Sequence, residues 1–320
     1  MQNYIKRLVT IPFVVLGVIL INFTLFHVSP GDPTSAYFSP TIKRETLETL
    51  REKMGVNASW GHQLYDWTRN VLHGDLGYSW SLHRPVGDVL KEAIPATLLL
   101  TLSALAINML LGCSFGVLSG VLGNRTGGKL INIIALFIYS MPPFWLALFM
   151  IYIFSTKLGI LPPSGLNSIF FAQTGWLQNL LDRLAHLVLP ATVLGLVGAA
   201  ATFRFVRANV AHALQEDYIT LAHAKGLSSR RVFFRHALAN SLLPVVTLLG
   251  LYLPLLLGGA FVIEVIFAWP GLGRITYGAV FAKDLPLLMA INLVVALLVI
   301  FGNLLADIVY RFIDPRVRIN

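Results

Sequence analysis

Residues 215–244 read QEDYITLAHAKGLSSRRVFFRHALANSLLP, a basic stretch set between two long apolar runs. Its first third carries the marks of a short helix. Glu216 and Asp217 stand in the first turn, where negative charge suits the positive end of the helix dipole. Lys225 stands in the last turn, and Gly226 is placed to close the helix just past its end. Tyr218, Leu221, Ala222 and Lys225 follow i, i+3, i+4, i+7 spacing and are predicted to share one face. Ten residues, Glu216 to Lys225, make a rod of about 15 Å. Ser228 or Ser229 can N-cap a second helix that carries Arg230, Arg231 and Arg235 into the next apolar run. On pattern alone two readings stand: a basic amphipathic helix lying on anionic lipid, or a rod gripped by a soluble partner.

The apolar runs set the class. The chain has 320 residues with mean hydropathy +0.72 and 12% charged residues, about half the charged fraction of an ordinary soluble domain. Six stretches reach the roughly 20 residues that cross a bilayer: 8–28, 96–122, 130–156, 184–206, 242–267 and 285–310. The first follows Lys6 and Arg7 but is too long for a signal peptide and has no small-x-small site before Ser29, so it is expected to stay as a span. Cys113 is the single cysteine, which excludes an internal disulfide and leaves an inert buried thiol as the simplest reading.

Charge distribution orients the chain. With the N-terminus in the cytoplasm, 13 Lys and Arg fall on that side and 4 in the short outer loops, Lys157, Arg183, Arg274 and Lys283. The long first loop, largely exempt from this rule, holds seven basic residues against eight acids. Both termini and the Gln215–Pro244 stretch are therefore expected in the cytoplasm. The net charge of +9 is an orientation signal, and no nucleic-acid partner is implied.

Along the chain, residues 1–28 read as a cytoplasmic N-terminus and first span, and 29–95 as a small helical subdomain outside the membrane. Residues 96–310 read as a five-span core with its cytoplasmic loop at 208–238, and 311–320 as a cytoplasmic tail. Within the subdomain, Thr41–Met54 and Trp60–His73 each show one apolar face. Trp60, Trp67, Tyr78 and Trp80 suit an interfacial belt or a partner contact. Gly112, Gly116 and Gly120 form a doubled G-x-x-x-G ladder, matched in the fourth span by Gly195, Gly198 and Ala199–Ala201. Such small faces imply close helix packing. Pro142-Pro143 and Pro254 are predicted to kink the third and fifth spans.

The chemistry that is absent narrows the function. There is no G-x-x-x-x-G-K-[ST] loop for nucleotide hydrolysis and no H-E-x-x-H. The histidines are scattered, so no metal set and no catalytic residues are assigned. Two acids lie inside apolar runs. Asp307 has Arg311 one turn later as an i, i+4 partner. Glu264, near the outer boundary marked by Trp269 and Pro270, reads either as a structurally paired acid or as a hydrogen-bonded gate or helix-end contact, and Pro254 and Pro142 are the other gate or pathway candidates.

The ordered series SPGDP (29–33), GDLGYS (74–79), RPV (84–86) with IPATL (94–98), SMPPFWLALFM (140–150) and LPPSG (161–165) continues down the chain. It runs on through YITLAHAKGLSSRRVFFRHALANSLLPVV (218–246), GGAFVIEVIFAWPGLGR (258–274), DLPLL (284–288) and DPRVR (314–318). Over nearly its whole length the chain resembles the inner-membrane permeases of binding-protein-dependent ABC importers, in the oligopeptide, dipeptide and nickel branch. The resemblance implies an all-α, six-span permease of the type I importer kind in the bacterial inner membrane. It implies a cytoplasmic loop of EAA type whose helix docks in a groove of the ATPase. Thr220, Leu221 and Ala222, then Gly226, take the EAA-x-x-x-G positions. Thr220 and Leu221 depart from that consensus, and Leu238-Ala239 stands where Leu-Pro is usual. The residues implied for coupling are Glu216, Asp217, Tyr218, Thr220, Leu221, Ala222, Ala224, Lys225, Gly226 and Leu227.

The implied partners are a second permease, two ATPases carrying ATP and Mg, an extracytoplasmic solute-binding protein and membrane lipid. No cofactor is implied for this chain itself. Di- or oligopeptides are the implied substrates, with nickel chelates or glutathione-like solutes as alternatives. A membrane-bound enzyme or sensor is the reading from another class, and nothing in residues 29–95 gathers an acid, a base and a nucleophile.

Overall fold

Proline placement and helix-end chemistry explain how the long apolar runs are divided. The computed structural model describes residues 2–28, 59–168 and 175–313. Helix α1 spans Gln2–Val28, α2 Trp60–Leu72 and α3 Val86–Leu122. Between α2 and α3 lies a hairpin, β1 Tyr78–Ser79 paired antiparallel with β2 Arg84–Pro85, which no periodicity in the sequence predicts. Next come α4 Thr126–Ser140, α5 Pro143–Met150 with a π-helical continuation Ile151–Lys157, and α6 Trp176–Ala213. Helix α7 is Asp217–Ala224 and α8 Ser229–Val232, which passes through a π-helical turn Phe233–Leu238 into α9 Ala239–Ile266. Helices α10 Leu272–Phe281 and α11 Leu285–Ile313 complete the order. The predicted helix at Thr41–Met54 lies outside the described residues, as do the side chains of Asp307, Arg311 and Pro254.

Each predicted span falls on helical segments, the third interrupted at Met141-Pro142. Among the described residues, Val86–Leu122, Trp176–Ala213 and Leu285–Leu305 are each long and apolar enough to cross a membrane. Helix α3, which carries the second span, begins ten residues earlier than its apolar run, at Val86, and carries Pro95 within it. The third span differs in kind from the expected kink: Thr126–Ser140 and Pro143–Lys157 meet at a bend of 105°. Met141 (ψ 131°) and Pro142 (ψ 137°) are both extended. Each precedes a proline, whose ring pushes the preceding residue out of the helical region, so two consecutive prolines break the helix rather than bend it. Pro143 then opens α5 at its first position, where its missing N–H costs nothing. Helix α9, by contrast, runs unbroken through position 254.

The chain divides into two compact units, residues 1–95 with 271–300, and 96–270 with 301–320. In the first, Val86, Val89, Leu90 and Ala93 pack with Leu272, Ala279, Leu287 and Ile291. The hairpin is fastened there by Asp284, fully buried ahead of α11. Its Oδ2 accepts hydrogen bonds from Ser79 Oγ (2.6 Å), Ser81 Oγ (2.7 Å) and Ser81 N (2.9 Å), and its Oδ1 from Leu287 N (3.3 Å). One carboxylate thus caps a helix and holds a turn some two hundred residues away in sequence. Trp60 packs edge-on against Phe23 at 5.6 Å.

The second unit is built around α6. The glycine ladder of α3 lies against it closely enough that added Cβ atoms would stand 2.6 Å from Thr202 Cβ at Gly112, 2.8 Å from Val206 Cβ at Gly116 and 2.8 Å from Val210 Cβ at Gly120. The match is reciprocal, since a Cβ on Gly195 would stand 2.9 Å from Ala104 O and one on Gly198 2.5 Å from Asn108 Nδ2. The two helices therefore touch backbone to side chain along several turns, which is how helices associate where lipid offers no hydrophobic contrast. Thr202 Oγ1 donates to Asn108 Oδ1 across the seam at 2.7 Å, both residues fully buried. A larger cluster joins Leu100, Ala147, Leu189, Val193, Leu256, Ile263, Phe267 and Trp269.

Candidate functional site: the loop joining α6 to α9

An eight-residue helix is about 12 Å long and far below the length that is stable alone in water, so α7 needs its ends and one face held. At its start, Glu216 is extended (φ −72°, ψ 147°) and is the N-cap residue. Its carboxylate makes no cap hydrogen bond and instead meets His212 Nδ1 at 3.0 Å. Asp217 stands in the first turn, in favourable alignment with the dipole.

At the other end Lys225 is the C-cap and Gly226 takes φ +78°. Gly226 N donates to His223 O at 2.9 Å and Leu227 N to Ala222 O at 3.3 Å. This pair of bonds is a Schellman closure, and it requires the left-handed conformation that glycine adopts without penalty. Leu227, half-buried, makes the apolar contact that accompanies such a closure.

The faces of α7 divide differently from the predicted single stripe. Ile219 (5% exposed) and Ala222 (6%) turn inward and pack with Val232 and Ala237, flanked by Leu214, Leu227 and Phe233. Tyr218 (36%), Leu221 (56%) and Lys225 turn outward, with Thr220 and Ala224 also exposed. Ala222 therefore belongs to the seat of the helix, and the presented face is Tyr218, Leu221 and Lys225. The rod is also shorter than the ten residues expected, because Glu216 and Lys225 serve as caps. Ser228, extended at φ −63° and ψ 144°, precedes α8 as predicted, without a side-chain cap bond.

The gate candidates occupy other elements. Glu264 is fully buried in α9 and accepts from Thr97 Oγ1 at 2.7 Å. One turn on, Trp269 N donates to Glu264 O at 2.8 Å, and the buried Trp269 Nε1 to Ala96 O at 2.8 Å. Glu264 thus joins the end of α9 to the first turns of the 96–122 segment. Pro142 sits at the 105° break, its carbonyl accepting from Trp145 N and Leu146 N at 3.0 and 3.1 Å. Among the described residues no group of three His, Cys, Asp or Glu could hold a metal ion. Sequence reasoning did not single out Asp284, because its partners are distant in the chain and DLPLL carries no local sign of them.

Fold and loop together define a class: a multi-pass helical membrane protein that carries, between two spans, a short helix with one face buried. Residues 112–319 match the model of the family described as binding-protein-dependent transport system inner membrane component, and residues 1–101 match its N-terminal counterpart. The chain is 37% identical over 323 residues to the oligopeptide transport system permease protein AppB of Bacillus subtilis, covering 99% of each. It is 35% identical over 319 residues to the glutathione transport system permease protein GsiC of Escherichia coli K12, again covering 99% of each. In fold it is similar to a chain of the inward-facing MetNI methionine ABC transporter, with TM-score 0.57 and 19% identity over 71% of this chain and 96% of that one. It is similar also to a chain of an amino acid ABC transporter, with TM-score 0.52 and 15% identity over 72% and 94%. The chain belongs to the binding-protein-dependent transport system inner membrane component family, and it is the permease subunit of an ABC importer.

Proposed function

We propose that this permease admits short peptides, including glutathione-like ones, across the bacterial inner membrane, and that α7 is where an ATPase subunit drives it. The observation that carries the coupling assignment is the division of α7: one face locked to its own unit, the other presenting Tyr218, Leu221 and Lys225. A helix held this way transmits a push instead of absorbing it. The working assembly is this chain, a sister permease, two ATPases that hold ATP and Mg, and an extracytoplasmic solute-binding protein. The chain itself performs no hydrolysis. Both termini and α7 face the cytoplasm, in keeping with the 13-to-4 distribution of basic residues. Closure of the ATPase pair moves α7, the motion passes into α6 and α9, and the two permease halves switch between discrete packings.

The substrate class rests on the relatives, one an oligopeptide permease and one a glutathione permease, each aligned over 99% of its length. Nickel or other metal chelates are the second reading. The test of coupling is co-purification from membranes. Tyr218→Ala with Leu221→Asp should leave the chain inserted but strip it of the ATPase; full retention of the ATPase would refute the assignment. The substrate is tested by uptake of labelled di-, tri- and tetrapeptides and of glutathione in a strain lacking other importers. Uptake of a nickel chelate alone would overturn the peptide reading.

A further inference from the structure

The segment that follows α7 presents a second, chemically different surface. From Ser228 to Asn240 the sequence has no acid, and Arg230, Arg231 and Arg235 are all exposed. Phe234 is 56% exposed between them, and its ring meets Phe233 edge-on at 5.1 Å. The opposite side is closed, since Val232 (1%) and Ala237 (0%) pack on Ile219 and Ala222 of α7. Among the described residues none of the three arginines forms an ion pair. The π-helical turn Phe233–Leu238 runs straight into α9, whose apolar run begins at Leu242. Arg235 is seven residues before that point, about 10 Å along the helix. The headgroup layer is about 5–7 Å thick per leaflet, and an arginine stem spans the difference while its guanidinium stays polar.

We infer that Arg230, Arg231, Phe234 and Arg235 form a docking surface for anionic phospholipid headgroups of the cytoplasmic leaflet. Three guanidiniums with an exposed aromatic ring, and no carboxylate in the segment, match phosphate at an interface. The face of α7 differs: it carries one lysine beside a tyrosine and a leucine, which suits a protein groove. Because both surfaces share the Ile219–Ala222–Val232–Ala237 cluster, a headgroup bound to one braces the other. The inference takes its cytoplasmic placement from the orientation proposed above and stands apart from the coupling role of α7.

The test uses the full-length chain exchanged into mixtures of phosphatidylglycerol and phosphatidylcholine, with retained lipids counted by native mass spectrometry. Each basic residue near an anionic surface contributes about 1 kcal/mol, a factor of about five in preference. Arg230→Gln, Arg231→Gln and Arg235→Gln should each lower the retained phosphatidylglycerol-to-phosphatidylcholine ratio by about that factor, and the three lysine replacements should preserve it. The unmodified protein gives a second measurement. Raising salt from about 0.1 M to about 1 M shortens the screening length from about 10 Å to about 3 Å and should lower the same ratio. An unchanged ratio in the glutamine variants, or a salt-insensitive ratio in the wild type, overturns the proposal. Loss of the co-purifying ATPase from the glutamine variants with the lipid ratio intact also overturns it, and assigns the face to protein.

Discussion

Gly226 offers a graded perturbation of the coupling helix. Its φ of +78° closes α7, and an added Cβ would meet nothing within 4 Å. Substitution there is therefore a question of backbone strain with no clash to confuse it. A non-glycine residue in the left-handed region costs roughly 1–2 kcal/mol, while asparagine tolerates it. The order expected is Gly226 close to Gly226→Asn, then Gly226→Ala, then Gly226→Val, whose branched Cβ stiffens the backbone further. Gly226→Pro is worst: it fixes φ near −65° and removes the N–H that donates to His223 O at 2.9 Å. A cost of about 1.4 kcal/mol lowers the closed helix end tenfold relative to frayed forms, and about 3 kcal/mol lowers it more than a hundredfold. The assay is ATP-driven solute uptake in vesicles, normalised to the amount of permease in the membrane. Uptake should fall in that order while insertion is unchanged. Wild-type uptake by both the valine and proline variants would refute the claim that a closed α7 carries the driving force.

Other consequences follow from the packing. Gly116→Val should push apart the seam, where a Cβ added at Gly116 would stand 2.8 Å from Val206 Cβ, at a cost of about 1–3 kcal/mol. Gly61→Ala, with nothing within 4 Å, should have no such effect. Cys113, the single cysteine, lies in the same helix as the ladder, so faster labelling of its thiol in Gly116→Val would report the opened seam. Asp284→Ala should leave Ser79 and Ser81 without their buried acceptor and cost about 3 kcal/mol or more. Quicker proteolysis within residues 78–85 would show it, and an unchanged rate would contradict the hairpin anchor. Glu264→Gln should keep the oxygen that accepts from Thr97 and stay close to wild type in melting temperature, whereas Glu264→Ala should lower it.

How much could be read in advance followed the range of the forces involved. Helix α7 was legible because its signals are local: acids in the first turn, a glycine past the last, and 3.6-residue spacing. The glycine ladder was legible as packing for the same reason, and Thr202 and Val206 supplied its partner face. Which face of α7 turns inward was not legible, because Ala222 is drawn in by Val232 and Ala237, residues beyond the next turn. The break at Pro142-Pro143 exceeded a kink because two consecutive pre-proline residues are held extended. The hairpin and its anchor stayed hidden, since Asp284 meets Ser79 across 205 positions and neither residue alone predicts the other.

A photoreactive residue on α7 tests the central claim most directly. Placed at Leu221, on the exposed face, it should crosslink to the ATPase in working membranes; placed at Ala222, one residue on and buried, it should crosslink only within the permease. Crosslinking of position 221 to lipid alone throughout turnover would contradict the account.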